Sequence, residues 1–111
     1  MNKILSLLGF AAKAGKLAYG FEAAVSAIKL KKSSLVIIAE DISPKSRKEA
    51  VFFADKMKLK HIILEGISMK DVSLSVGRKC GIISVNDNGF ADAILKAYNK
   101  TQTEGGFAND Q

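Results

Sequence analysis

Few side chains in this sequence have the chemistry to act on a bound molecule, and they are thinly spread. The one histidine, His61, opens the stretch "HIIL", and the one cysteine, Cys80, stands just before "IISV". A cysteine nucleophile needs a base beside it, and a metal ion needs several converging ligands. His61 and Cys80 instead border apolar, strand-like runs and share no ligand spacing with the scattered carboxylates. A packed histidine and a small buried hydrophobe are expected, with no metal and no cofactor.

The adjacent carboxylates Glu40 and Asp41, in "AEDIS", follow an apolar run. Ligands of open α/β sheets bind beyond the carboxyl ends of strands, so a nucleotide or magnesium site is one reading. No glycine-rich phosphate loop accompanies the pair, and "GRKCG" fits neither phosphate fingerprint. The simpler expectation is that Asp41 orients a turn. Neither an enzyme nor a small-molecule substrate is expected.

The remaining chemistry is that of a polyanion site. In "LGFAAKAGKLAYGFEAAVSAI", residues 8–28, Gly15 and Gly20 punctuate two helical patterns, with Lys13 and Lys16 between them. A helix starting after Gly20 presents free N–H groups and the positive end of its dipole. Arg78 and Lys79 follow Gly77 in a second loop. The chain carries 17 Lys/Arg against 11 Asp/Glu, with 12 against 5 in residues 1–60 and 5 against 6 thereafter. A phosphate backbone is the natural counterpart of that charge, and a lysine-rich solubilising surface is the bland alternative. Only two of the basic residues are arginine, which argues against extensive bidentate base reading. Pattern alone does not bring the 13–22 corner and the 78–79 loop together.

The elements that must position these residues follow from periodicity. Asn2 can cap a first helix with Ile4, Leu7, Leu8 and Ala11 on one face, ended by Gly15. Phe21, Ala24, Val25 and Ile28 mark a second. "LVIIA" (35–39), "HIIL" (61–64) and "GIISV" (81–85) read as strands buried on both faces. Between them, Ser43–Pro44 opens a helix to about Lys58 that buries Ala50, Phe53, Ala54 and Met57. Ser68 and Asp71 form a capping box for a short helix ended by Gly77. A last helix carries Ala91, Ile94, Leu95 and Tyr98. Alternating strands and helices predict an α/β/α sandwich with helices on both faces of the sheet. Right-handed crossovers make neighbouring strands parallel, and "LAYG" (17–20) adds an antiparallel edge, giving a four-stranded mixed, mostly parallel sheet. Residues 1–100 are expected to form one domain, with "TQTEGGFANDQ" (101–111) a flexible tail. No apolar run approaches the length of a membrane span, residues 4–12 lack a signal cleavage site, and one unpaired cysteine suits the cytoplasm.

"GKLAYGFEAAVSAIKLKKSSLVIIAEDIS", "HIILEG" and "SLSVGRKCGIISVND" together resemble the ribosomal protein L7Ae family, in particular its short bacterial branch. The resemblance covers residues 3–98. It implies a non-catalytic protein that binds structured, kink-turn-like RNA, is ribosome-associated, and acts as a monomer. By position, the family's RNA-facing motif starts at Gly20. Phe21 follows, and Glu22, Ala23 and Ser26 stand where kink-turn binders have Asn, Glu and Lys. The family's second contact, an apolar loop, falls on Arg78, Lys79 and Cys80. Phosphate contacts are thus expected from Lys13, Lys16 and Lys79 and close recognition from Gly20, Phe21, Glu22 and Arg78, with Ser26 among the expected RNA-binding residues by its position in the family motif. The departures at Glu22, Ala23 and Ser26 favour an alternative: a protein–protein interaction module of the same fold that has lost kink-turn specificity.

Overall fold

The computed structural model describes residues 2–109, with side chains through Thr101. Its elements are α1 (Lys3–Lys13), β1 (Leu17–Tyr19), α2 (Phe21–Lys29), β2 (Leu35–Ala39), α3 (Pro44–Lys56), β3 (His61–Leu64), α4 (Met69–Val76), β4 (Ile82–Val85) and α5 (Asn88–Asn109). Local chemistry sets most of these boundaries. The Asn2 side chain accepts from the amides of Ile4 and Leu5, and Ser43 accepts from Ser46 with Pro44 at the first helical position. Ser68 and Asp71 cap each other's backbone, and Gly77 ends α4 in a left-handed conformation. Each device removes an orphan N–H or carbonyl that a helix end would otherwise leave unsatisfied.

The sheet order is β1-β4-β2-β3. β2 and β3 are parallel, whereas β4 runs antiparallel to both β2 and β1. The expected antiparallel edge strand at 17–19 is present, but parallel pairing is the minority. The reason lies in α4. The amide of Met69, at its start, donates to Asp41 Oδ1 at 2.7 Å, and its Ser73 hydroxyl bonds Cys80. Helix α4 therefore begins and ends near the sheet edge at which β3 finishes. The chain re-enters the sheet from that edge, so β4 must run back against β2.

On one face α2 packs on α3, β4 and β1; on the other α1 packs on α4 and α5. The core between them holds Leu8, Ile28, Ile37, Ile38, Ile83 and Ile94, each at most 2% exposed. β2 and β4 are fully buried, but β3 is an outer strand, and His61 and Ile63 are partly exposed where burial on both faces was expected. Met57 is likewise 37% exposed, because α3 ends at Lys56 and the chain turns through a left-handed Lys58. Helix α5 continues to Asn109, across most of the stretch expected as a flexible tail, residues 101–111; the side chains beyond Thr101 and residues 110–111 lie outside the described residues.

Candidate nucleic-acid interface

Three strand ends and three helix starts meet at one edge of the sheet. Gly20 N–H donates to the Ile82 carbonyl at 2.8 Å, and Ala39 N–H to the Gly81 carbonyl at 2.8 Å. These bonds set the end of β1, the start of β4 and the end of β2 side by side. Phe21, Ile42, Ser43, Met69 and Gly81 line a groove of about 220 Å³ among the starts of α2, α3 and α4. Two carboxylates lock the loops around it. Glu40 Oε1 accepts from Gly66 N–H at 2.9 Å and Asp41 Oδ1 from Met69 N–H at 2.7 Å, while the Glu40 carbonyl accepts from Arg47 at 2.7 Å. The role expected for Asp41 in orienting the turn is present, and both carboxylates are engaged with backbone.

Gly20 has φ 90° and ψ 168°, a region open essentially to glycine alone. It leaves α2 without a side-chain cap, unlike α1, α3 and α4. A Cβ built on Gly20 would meet nothing within 4 Å, so the approach to the first turn of α2 is open. Phe21 is half-buried beside it; Glu22, Ala23 and Ser26 point outward on the exposed face of α2. Glu22 and Ser26 share that face with Lys29, whose ammonium lies 5.0 Å from the Phe53 ring centroid.

The second loop comes to the same place. The Arg78 guanidinium lies 4.8 Å from the centroid of the Tyr19 ring, one residue before Gly20. Ser73 holds the loop from behind: its hydroxyl accepts from Cys80 N–H at 3.1 Å and donates to the Cys80 carbonyl at 3.3 Å. The Cys80 thiol is buried and donates weakly to the Arg78 carbonyl at 3.5 Å. Burial pushes its pKa up, partly opposed by the Arg78 guanidinium. Lys79 is left exposed at the loop's outer side.

Gly20, Phe21, Glu22, Arg78 and Lys79 are thus brought to one corner, with Ser26 a turn further along α2. Lys16 is not. Its carbonyl accepts from Asn86 N–H at 2.8 Å, at the far end of β1, about 13 Å of extended chain from Gly20. Lys13 lines a groove between α1 and α4 with Phe10, Asp71 and Leu74. In the sequence these lysines flank the glycine; in the fold, β1 stands between Lys16 and Gly20 and Lys13 faces another surface. His61 opens β3 at that far end too, 3.8 Å from Asp55, and so is remote from Cys80. Tyr19 and Ser73 were missed by sequence reasoning. An aromatic residue next to the glycine at a strand end was the available signal for Tyr19; nothing local marks Ser73.

A family model described as the ribosomal protein L7Ae/L30e/S12e/Gadd45 family matches residues 2–95. The RNA-binding protein YlxQ of Enterococcus faecium is 30% identical over 91 residues, 81% of this chain and 85% of that protein. The large ribosomal subunit protein eL30 of Aeropyrum pernix is 30% identical over 87 residues, 77% of this chain and 86% of that protein. Among solved structures, a Bacillus halodurans protein of unknown function superposes with a TM-score of 0.84 at 25% identity, covering 89% of this chain and 99% of its own. A Giardia lamblia 15.5kD RNA binding protein shares the fold, with a TM-score of 0.74 at 16% identity over 89% of this chain and 84% of its own.

Proposed function

The chain belongs to the ribosomal protein L7Ae/L30e/S12e/Gadd45 family, and from that premise we propose that it binds folded RNA at the corner where α2 begins. The observation that carries this reading is the stacking of Arg78 on Tyr19, which sets the loop after α4 against the uncapped start of α2. Both relatives at 30% identity bear names tied to RNA or the ribosome.

The chemistry divides between two parts of the corner. Backbone N–H groups at the start of α2 donate to phosphate or to a base edge, and the open space over Gly20 lets a backbone approach closely. Glu22 offers an acceptor for amino edges, and Ser26 a hydroxyl that both donates and accepts. Arg78 supplies a guanidinium plane for an unstacked base, and Lys79 supplies charge. The RNA is a helix–internal-loop–helix element with a sharp bend, of the kink-turn kind, on the ribosome or in its assembly. The protein works as a cytoplasmic monomer without catalysis. Lys13 and Lys16 then have no part in the corner's close contacts.

The alternative, an interaction module that meets another protein instead of RNA, is favoured by one feature: Glu22, Ala23 and Ser26 replace the side chains that kink-turn binders use. Filter binding with a kinked RNA separates the two. The expected result is tight, salt-dependent binding that Arg78→Ala and Glu22→Lys both weaken by roughly ten-fold, the loss of one good base contact. Wild-type protein with no preference for the kinked RNA over a plain duplex overturns the corner reading. Partners retained after ribonuclease treatment would establish the module.

A further inference from the structure

Five of the chain's 17 basic residues lie on the opposite edge from the corner. Lys16 precedes β1 and holds Asn86, at the end of β4, through its carbonyl; Lys31 and Lys32 precede β2; Lys58 and Lys60 precede β3, with the Lys60 carbonyl accepting from Val36 N–H at 3.1 Å. All five lysines are exposed, and among the described residues none has a carboxylate within 4.0 Å. Two acids also stand at this edge: Asp87 accepts from Phe90 N–H at 2.8 Å at the start of α5, and Asp55 lies 3.8 Å from His61, which opens β3. Lysines at helix ends often answer the helix dipole, and Lys31 and Lys58 follow the ends of α2 and α3 in left-handed conformations. Two helix C-termini contribute about half a negative charge each and Asp55 and Asp87 one each, which leaves about two of the five positive charges unanswered.

We propose that this lysine edge is a second RNA site, specific for the phosphodiester backbone and indifferent to sequence, so that one molecule bridges two RNA segments. Four strands at about 4.8 Å spacing set the lysines along roughly 14 Å, the axial length of about four phosphates on one strand. Five lysines without an arginine are point charges that hold phosphate but read no base. The charge geometry is independent of the corner; only the choice of RNA as its occupant rests on the corner reading.

The test is binding of a plain 20-base-pair RNA duplex, without loop or kink, across a salt series. The variant carries Lys16→Gln, Lys31→Asn, Lys32→Gln, Lys58→Asn and Lys60→Gln, with asparagine chosen because it tolerates the left-handed conformation. At low salt this variant is expected to lose on the order of ten-fold or more in duplex affinity, and its log–log salt slope to shrink by about 3 to 4. Arg78→Ala should cost far more affinity for the kinked RNA than for the duplex, whereas the lysine variants should show the reverse order. If the five-fold variant melts early, the pairs Lys31→Asn/Lys32→Gln and Lys58→Asn/Lys60→Gln should each give a partial loss. Duplex affinity and slope equal to wild type in the variants overturn the proposal. So does wild-type binding to phosphatidylserine vesicles without binding to the duplex.

Discussion

The guanidinium of Arg78 lies 4.8 Å from the centre of the Tyr19 ring, tying the loop after α4 to the end of β1. The two residues are 59 positions apart in sequence and meet only because β1 and β4 are antiparallel neighbours. A cation–π contact at an exposed site contributes about 0.5–1 kcal/mol. Tyr19→Leu is expected to lower stability by about that much in urea denaturation and to weaken binding of kinked RNA, whereas Tyr19→Phe keeps the ring and both properties. Unchanged RNA affinity in Tyr19→Leu would mean that the loop acts without this anchor.

Gly20 tests backbone conformation rather than space. Its φ of 90° disfavours every residue with a side chain, although a Cβ there would touch nothing within 4 Å. Gly20→Val is expected to cost about 1–3 kcal/mol of stability through strain alone. A thermal melt identical to wild type would contradict the left-handed geometry. Any loss of RNA binding by this variant has to be read beside its melt.

Gly81 is the reverse case. A Cβ on it would lie 2.5 Å from Ile42 Cγ2 and 2.7 Å from Met69 Cγ, inside the groove at the corner. Gly81→Ala forces apart the loop before α3 and the start of α4, at a cost of about 1–3 kcal/mol. A drop in melting temperature accompanied by altered amide shifts near Ile42 and Met69 is expected. An unperturbed spectrum would show that the groove is looser than its contacts indicate.

Cys80 should behave as a structural thiol. Burial raises its pKa against the opposing pull of Arg78, so the folded protein keeps its proton where an unfolded chain has begun to lose it. The unfolded state therefore binds fewer protons as pH rises through the ordinary thiol range, and stability contributed by this site falls there. Alkylation near about pH 8 should be slow in the native protein and fast in denaturant. Equal rates in the two states would place the thiol at the surface.

Helix boundaries were legible because their causes are local. Asn2, Ser43–Pro44, the Ser68/Asp71 box and Gly77 each act within four residues, and each is found where the sequence puts it. Strands with continuous apolar runs were legible for the same reason. Half-burial of β3 was not, since which strand lies outermost is a property of the whole sheet.

The sequence by itself determined the succession of elements, the apolar faces they bury, the family likeness, and the glycine that opens α2. Hydrophobic periodicity and capping are short-range, so one dimension holds them. Only the tertiary structure decided strand order and direction, and with them the neighbours of each loop. Antiparallel entry of β4 carries Arg78 to Tyr19, and the same strand β1 carries Lys16 away from Gly20 to the far edge. An extended strand carries residues a few positions apart to its opposite ends, while residues distant in sequence meet across it, so proximity in sequence could not say which charges share a surface.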